Sequence, residues 1–194
     1  VKELGTFRKI SSRLQGHPST DKSLPGIRMA SGSLGQGLSV AIGTAETKKL
    51  NNDTKIVYSL HGDGELQEGQ IWEAAMYAAA KGIDNLVATI DYNGRQIDGD
   101  VEDVLSLGNL KQKWQAFGWD VYEMNGHDFD DIKKTFANIQ KAIGNGKPIV
   151  VLMKTEMGKG VDFMMGSHKW HGVAPNPEQL EVALDQLEET LGDY

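Results

Sequence analysis

Four short apolar runs alternate with longer stretches of helical periodicity along this chain. The runs fall at 56–60, 86–90, 119–124 and 148–153 and are rich in β-branched and aromatic residues, as in Ile56-Val57-Tyr58 and Val150-Val151. Runs of this length, apolar throughout rather than strictly alternating, predict strands covered on both faces. The stretch 34–50 predicts a helix ending in Lys48-Lys49, beside the negative end of its own dipole. The stretch 67–81 predicts a second, with Trp72, Ala75, Met76 and Ala79 on one face and Gly82 as C-cap. A third spans 128–143, where Ile132, Phe136, Ile139 and Ile143 recur at helical spacing, and a fourth, acidic and free of Lys and Arg, spans 177–191. Strand–helix alternation of this kind predicts an α/β fold, a parallel sheet with helices on both faces. Residues 1–175 read as one domain and 176–194 as an acidic C-terminal helix. The irregular stretch 157–176 holds four glycines and two histidines, and a loop of that length is commonly functional.

The 194 residues are enough for one domain with a sizeable core. A net charge of −7 argues against nucleic acid and against an anionic membrane surface as partners. An anionic ligand would then need a metal or backbone amides to hold it. The chain has no cysteine, which excludes disulfides and thiolate metal sites. No apolar run approaches a membrane span and no signal-peptide pattern opens the sequence, so a cytoplasmic location is expected.

Candidate chemistry lies at the ends of the first two runs. Asp63, in His61-Gly62-Asp63-Gly64-Glu65, follows the first, and Asn93, in Asp91-Tyr92-Asn93-Gly94, follows the second. Adjacent parallel strands would set a carboxylate and a carboxamide side by side at their C-terminal ends, where open α/β sheets bind ligands. Two such oxygen donors suit Mg²⁺, or another hard cation such as Ca²⁺, shared with phosphate oxygens. Gly62 and Gly64 permit close backbone approach, and a helix starting near Gln67 would aim its free amides at an anion. Alone, this pattern is also that of an ordinary strand–helix turn. The run Ser31-Gly32-Ser33-Leu34-Gly35-Gln36-Gly37 lacks the glycine spacing and the preceding strand of a dinucleotide fingerprint. His17, in Gln15-Gly16-His17-Pro18, sits in a rigid turn where a solvated histidine is the ordinary reading. His168 and His171 have no third ligand for zinc nearby and better suit a polar loop folded over an anion. Glu65 and Glu68 flank a helix start, where helix-dipole complementation is the bland alternative.

Taken in order, these motifs resemble the diphosphate-binding domain of transketolases. The matching segments are Leu14-Gln15-Gly16-His17-Pro18, Ala30 to Gly37, Gly62-Asp63-Gly64-Glu65-Leu66-Gln67-Glu68-Gly69, Ile90 to Gly99, Lys154 to Gly160, and Gly166-Ser167-His168 with His171-Gly172. Leu66-Gln67-Glu68-Gly69 discriminates best, since related deoxyxylulose-phosphate synthases differ there. The resemblance implies a thiamine-diphosphate-binding fold and transfer of a two-carbon ketol unit between sugar phosphates. It implies that Asp63, Asn93 and the backbone carbonyl of Arg95 hold the divalent metal. Gly62, Gly64 and His168 would contact the diphosphate, with Glu65 beside them. Gly32 and Leu34 would line the cofactor cleft, and Ile97 would pack on the cofactor body. His17 would face the donor substrate, His168 would serve catalysis as well, and Glu68 would meet a partner subunit's carboxylate.

The departures matter too. The chain opens at Val1, and the family's preceding segment, with two further active-site histidines and a strand, has no counterpart in it. The pyrimidine-binding domain, expected from a partner polypeptide in a dimer or heterotetramer, is also absent. Ser33 stands where many relatives have proline, and Gly94 follows Asn93. Two other readings stay open: a non-catalytic scaffold of the same fold, or a related deoxyxylulose-phosphate or dihydroxyacetone synthase.

Overall fold

The computed structural model describes residues 3–188. Its centre is a four-stranded parallel sheet of β1 (Val57–Gly62), β2 (Leu86–Tyr92), β5 (Asp120–Asn125) and β6 (Ile149–Lys154), in the order β1-β2-β6-β5. A two-stranded antiparallel hairpin, β3 (Arg95–Gln96) and β4 (Gly99–Asp100), follows β2. Each of the four apolar runs forms a strand within a residue or two of its expected bounds. Trp119 precedes β5 rather than opening it.

Strand periodicity divides the core in two. Leu86, Ala88, Ile90, Val150 and Leu152 face one side, where α1 (Gln36–Leu50), α2 (Gly69–Ala80) and α4 (Leu110–Ala116) pack. Val87, Ile149 and Val151 face the other, covered by α5 (Phe129–Ala142) through Ile139, Ile132 and Phe136. The parallel sheet therefore has helices on both faces, as the sequence predicts. Each fully buried leucine or isoleucine, such as Leu38, Ile71 or Ile139, contributes about 1.5–3 kcal/mol. On the outer strand β1, α5 reaches Tyr58 through Phe136, with ring centroids 6.3 Å apart, but leaves Leu60 exposed.

Helix α1 buries Leu38, Ala41, Ile42 and Ala45, an i, i+3, i+4, i+7 stripe. Lys48 at its end pairs with Asp53 at 2.8 Å, and Lys49 with Asp84 at 2.7 Å. Asn85 ties the end of α1 to β2 by donating to the Ala45 carbonyl at 2.9 Å, a buried bond.

The second helix differs from expectation in two ways. It begins at Gly69, because residues Gly64–Gln67 form a tighter 3-10 turn that Asp63 caps. Its buried face is Ile71, Ala74, Ala75 and Ala78, so Met76 points to solvent and Trp72 only half into the core. Trp72 instead joins an aromatic cluster linking α2, α4 and the start of β5. Its ring centroid lies 5.2 Å from those of Trp114 and Phe117, and Trp114 lies 4.9 Å from Trp119.

Helices α3 (Val101–Leu105) and α4 and the small hairpin were not expected from periodicity. The long irregular stretch is a loop, with Trp170 packed on Phe163 at 5.3 Å. It leads to α6 (Pro177–Gln186), which Asn176 caps with a full capping box. Residues 189–191 of the expected acidic helix lie outside the described residues, and Leu187 already leaves the helix. Helix α6 buries Ala183, and its Gln186 side-chain oxygen accepts from the Asp162 N–H at 2.8 Å. No helix among the described residues is long and apolar enough to cross a membrane.

Candidate functional site

Strand register sets the site. Gly62 on β1 pairs with Asp91 on β2, so the residues just beyond, Asp63 and Asn93, leave neighbouring strand ends. Asp63 is 1% exposed, and no Lys, Arg or His pairs with it among the described residues. Its Oδ1 accepts from the Gly64 N–H at 2.8 Å and its Oδ2 from the Gly94 N–H at 2.5 Å. The second bond ties the β1 loop to the β2 loop. Burial pushes the Asp63 carboxyl above its ordinary pKa; the Gly94 and Gly64 amides work against the rise, and the Asp91 charge adds to it.

Asn93 is held from both ends. Its Oδ1 accepts from the Arg95 N–H at 2.8 Å and its Nδ2 donates to Asp91 Oδ2 at 3.2 Å. The other Asp91 oxygen accepts from the Thr155 hydroxyl beyond β6. Arg95 begins the hairpin, and its guanidinium pairs with Asp100. Ile97 stands at the hairpin tip, 67% exposed.

Glu65 does not act as a helix-dipole acid. Its carboxylate turns back to accept from the Gly35 N–H at 2.8 Å and the Gly62 N–H at 3.2 Å, and lies 3.3 Å from His61 Nδ1. This fastens the entry of α1 to the Gly-Asp-Gly loop. Gly35 has φ +84°, and a Cβ there would stand 2.8 Å from the Glu68 Cβ. Glu68 itself is exposed and makes no capping bond to α2, which leaves its carboxylate free at the surface.

The remaining expected residues fall around this centre. Leu34 is 55% exposed, and its carbonyl accepts from Gln70 Nε2 at 3.1 Å. Gly32 lies against His17: a Cβ at position 32 would sit 3.3 Å from the His17 Cβ and Cγ. His17 is exposed. His168 opens a 3-10 turn, His168–Trp170, that packs against β4. Its loop is held by Glu156, which accepts from the Gly166 N–H at 2.8 Å, and by Trp170 Nε1 donating to the Phe163 carbonyl at 2.9 Å.

A cleft of about 500 Å³ lies between α1 and the outer strand, lined by Ser31, Leu34, Gly37, Leu60, His61 and Glu65 among others. It adjoins the Asp63–Asn93 pair without including it. The structure thus brings Gly62, Asp63, Gly64, Asn93 and Arg95 into one cluster and gathers Gly32 with His17 in a second, with Glu65 bridging toward the start of α1. Asp91, Thr155 and His61 belong to this region and were not singled out by sequence. Asp91 and Thr155 do fall inside two of the matching segments.

The donor set is suited to a hard divalent cation. No group of three or more His, Cys, Asp or Glu side chains forms a metal cage among the described residues. A cation here would be held by Asp63, Asn93 and a backbone carbonyl, with the remaining positions left to water or ligand oxygens. A buried carboxylate with no cationic partner is a poor resting state for a charge, and a cation would relieve it. Around Gly62 there is open space, whereas beside Gly64 the Gln96 side chain closes to 3.0 Å from a hypothetical Cβ.

The family described as "Transketolase, thiamine diphosphate binding domain" matches residues 1–191. One of the two subunits of an apulose-4-phosphate transketolase from Phocaeicola vulgatus is 44% identical over 186 residues, covering 96% of this chain and 65% of the relative. The 6-deoxy-6-sulfo-D-fructose transketolase subunit SqwG of Clostridium sp. is 38% identical, covering 97% of this chain and 67% of that protein. Among solved structures, the transketolase of Campylobacter jejuni superposes with a TM-score of 0.84 at 34% identity, covering 95% of this chain and 29% of its own. The chain therefore spans about two thirds of the length of the split-subunit relatives and under a third of a full-length one.

Proposed function

Since this chain belongs to the transketolase family, as its thiamine-diphosphate-binding domain, we propose that it grips the metal–diphosphate end of that cofactor and serves ketol transfer between sugar phosphates together with a pyrimidine-domain partner. The observation that carries this reading is Asp63: a fully buried carboxylate without a cation, bonded across two strand ends to the loop of Asn93. In this reading Asp63, Asn93 and the Arg95 carbonyl hold Mg²⁺ or Ca²⁺. Gly62, Gly64 and His168 lie along the diphosphate, and Gly32, Leu34 and Ile97 line the cofactor body. When bound, thiamine diphosphate supplies the nucleophilic carbanion and the electron sink. The chain's own work is orientation. His17, set by its contact with Gly32, faces the donor and is placed for proton transfer to its oxygens. Glu65 keeps the Leu34 loop in register with the Gly-Asp-Gly loop. Glu68, free and exposed, is available to a partner subunit in a dimer or heterotetramer.

The subunit designations of two relatives favour a separate partner polypeptide for this chain too. The named substrates of those relatives, apulose 4-phosphate and 6-deoxy-6-sulfo-D-fructose, differ from each other, so the sugar taken here is a matter for assay.

The test compares thermal unfolding with cofactor plus Mg²⁺ and with cofactor plus EDTA, for the parent and Asp63→Ala. Ligand at a hundred times its Kd stabilises by about 2.7 kcal/mol, and that gain is expected only in the parent with metal. Equal stabilisation of both proteins would sink the metal assignment. Adding a pyrimidine-domain polypeptide is expected to give ketose-phosphate turnover; none with any such partner favours the non-catalytic scaffold.

A further inference from the structure

We infer that Asp91 is a positioning residue that fixes which end of the Asn93 carboxamide is offered to the cation, an inference that rests on the metal reading above. A carboxamide has two chemically different ends, and only Oδ1 can ligate a metal. In this structure the two ends are sorted by opposite partners. Nδ2 donates to Asp91 Oδ2 at 3.2 Å, while Oδ1 faces the Arg95 N–H at 2.8 Å and keeps a second lone pair. Turning the amide over would set its NH₂ against the Arg95 N–H and its oxygen against a carboxylate, losing both bonds.

Asp91 is itself held in place. It lies on β2 between Gly62 of β1 and Met153 of β6, the central one of three neighbouring strand ends. Its Oδ1 accepts from the Thr155 hydroxyl, and its backbone carbonyl accepts from the Asp63 N–H at 3.2 Å. It is half-buried and has no ion-pair partner among the described residues, so its two oxygens act as acceptors for Thr155 and Asn93. Asp91 thereby connects the third strand end to the Asp63–Asn93 pair. Outer carboxylates that orient metal-binding side chains typically alter metal affinity by about 10- to 100-fold when removed.

The test is Mg²⁺ titration calorimetry at saturating thiamine diphosphate, with circular dichroism to verify folding. Asp91→Ala is expected to weaken Mg²⁺ binding by about 10- to 100-fold, and Asp91→Asn, which keeps an acceptor for Asn93 Nδ2, to stay within about threefold of the parent. At saturating Mg²⁺ the Asp91→Ala protein is expected to regain the parent's cofactor affinity, which a general loss of structure would not allow. Thr155→Val, which removes the anchor while leaving Asp91, is expected to fall between the two and carries the test if Asp91→Ala does not fold. Parent-like Mg²⁺ affinity in both Asp91→Ala and Thr155→Val would overturn the inference. So would an Asp91→Asn as weak as Asp91→Ala, because charge rather than orientation would then be at work. Asp63→Ala separates the levels: if the parent binds Mg²⁺ and Asp63→Ala does not, an unaffected Asp91→Ala overturns this role alone. Absence of Mg²⁺ binding in the parent overturns the metal reading and this role with it.

Discussion

Glu65 and Gly35, thirty residues apart, are joined by a 2.8 Å hydrogen bond from the Gly35 N–H to the Glu65 carboxylate. The bond holds the left-handed Gly35 at the mouth of α1 against the loop that carries Asp63. Burial alone would raise the Glu65 pKa; the His61 hydrogen bond and the Gly35 and Gly62 amides outweigh it and hold the carboxyl below its ordinary value. An acid whose folded pKa lies below its unfolded one adds stability above the unfolded pKa and loses it as pH falls through the folded one. Urea unfolding is therefore expected to show stability declining from the ordinary glutamate range downward. Glu65→Gln should flatten that part of the profile and lose about 1–3 kcal/mol at neutral pH, since one donor is left facing an amide NH₂. An unchanged acid slope in the variant would count against this role.

Gly32→Ala addresses the other cluster. The new methyl would press on the His17 side chain at 3.3 Å, in a region where both residues are exposed. Stability in a thermal melt is expected to stay within about 0.5 kcal/mol of the parent. Turnover with a supplied pyrimidine domain is expected to fall, with kcat affected more than cofactor affinity. A fully active Gly32→Ala would remove His17 from the proposed donor contact.

Trp114 tests the core. It is fully buried between Trp72 and Trp119, and its indole N–H has no partner. Trp114→Ala is expected to cost about 3–5 kcal/mol in urea unfolding, a large share of a typical domain's stability. Trp114→Phe sacrifices no hydrogen bond and should cost clearly less. Equal losses for the two would show that ring area is not the dominant contribution.

Asn176 gives a local test. Its side chain accepts from the Gln179 N–H at 2.8 Å while Gln179 returns a bond to the Asn176 N–H. Asn176→Ala is expected to weaken α6 by about 1 kcal/mol, read as faster amide hydrogen exchange in residues 177–186 with the sheet strands unaffected.

Much of the fold was legible because a strand buried on both faces must be apolar throughout, and all four sheet strands are. The elements missed are short. Helix α4 offers only Leu110 and Trp114 as a buried pair, too few for a period to register, and the hairpin has two residues per strand. The start of α2 was misplaced because Asp63 spends a carboxylate oxygen on its neighbour Gly64, tightening the first turn. At the site, Asp63 and Asn93 were readable from motif and strand order. The Glu65–Gly35 bond was not, since it depends on how α1 meets β1 in space. Asp91 was in view as part of a motif, but its partner Thr155 lies 64 residues away and meets it only through the β2–β6 register.

The four tryptophans are divided in a way that makes the protein its own instrument. Trp72, Trp114 and Trp119 are packed together under the sheet, so their emission reports whether the domain is assembled. Trp170 stands apart, half-buried on Phe163 two residues beyond His168. With Trp170 replaced by phenylalanine, the emission that remains follows unfolding alone. The difference spectrum between parent and variant isolates a single fluorophore beside the histidine loop. Occupancy of the site and integrity of the fold can thus be followed in one cuvette, without attaching a dye.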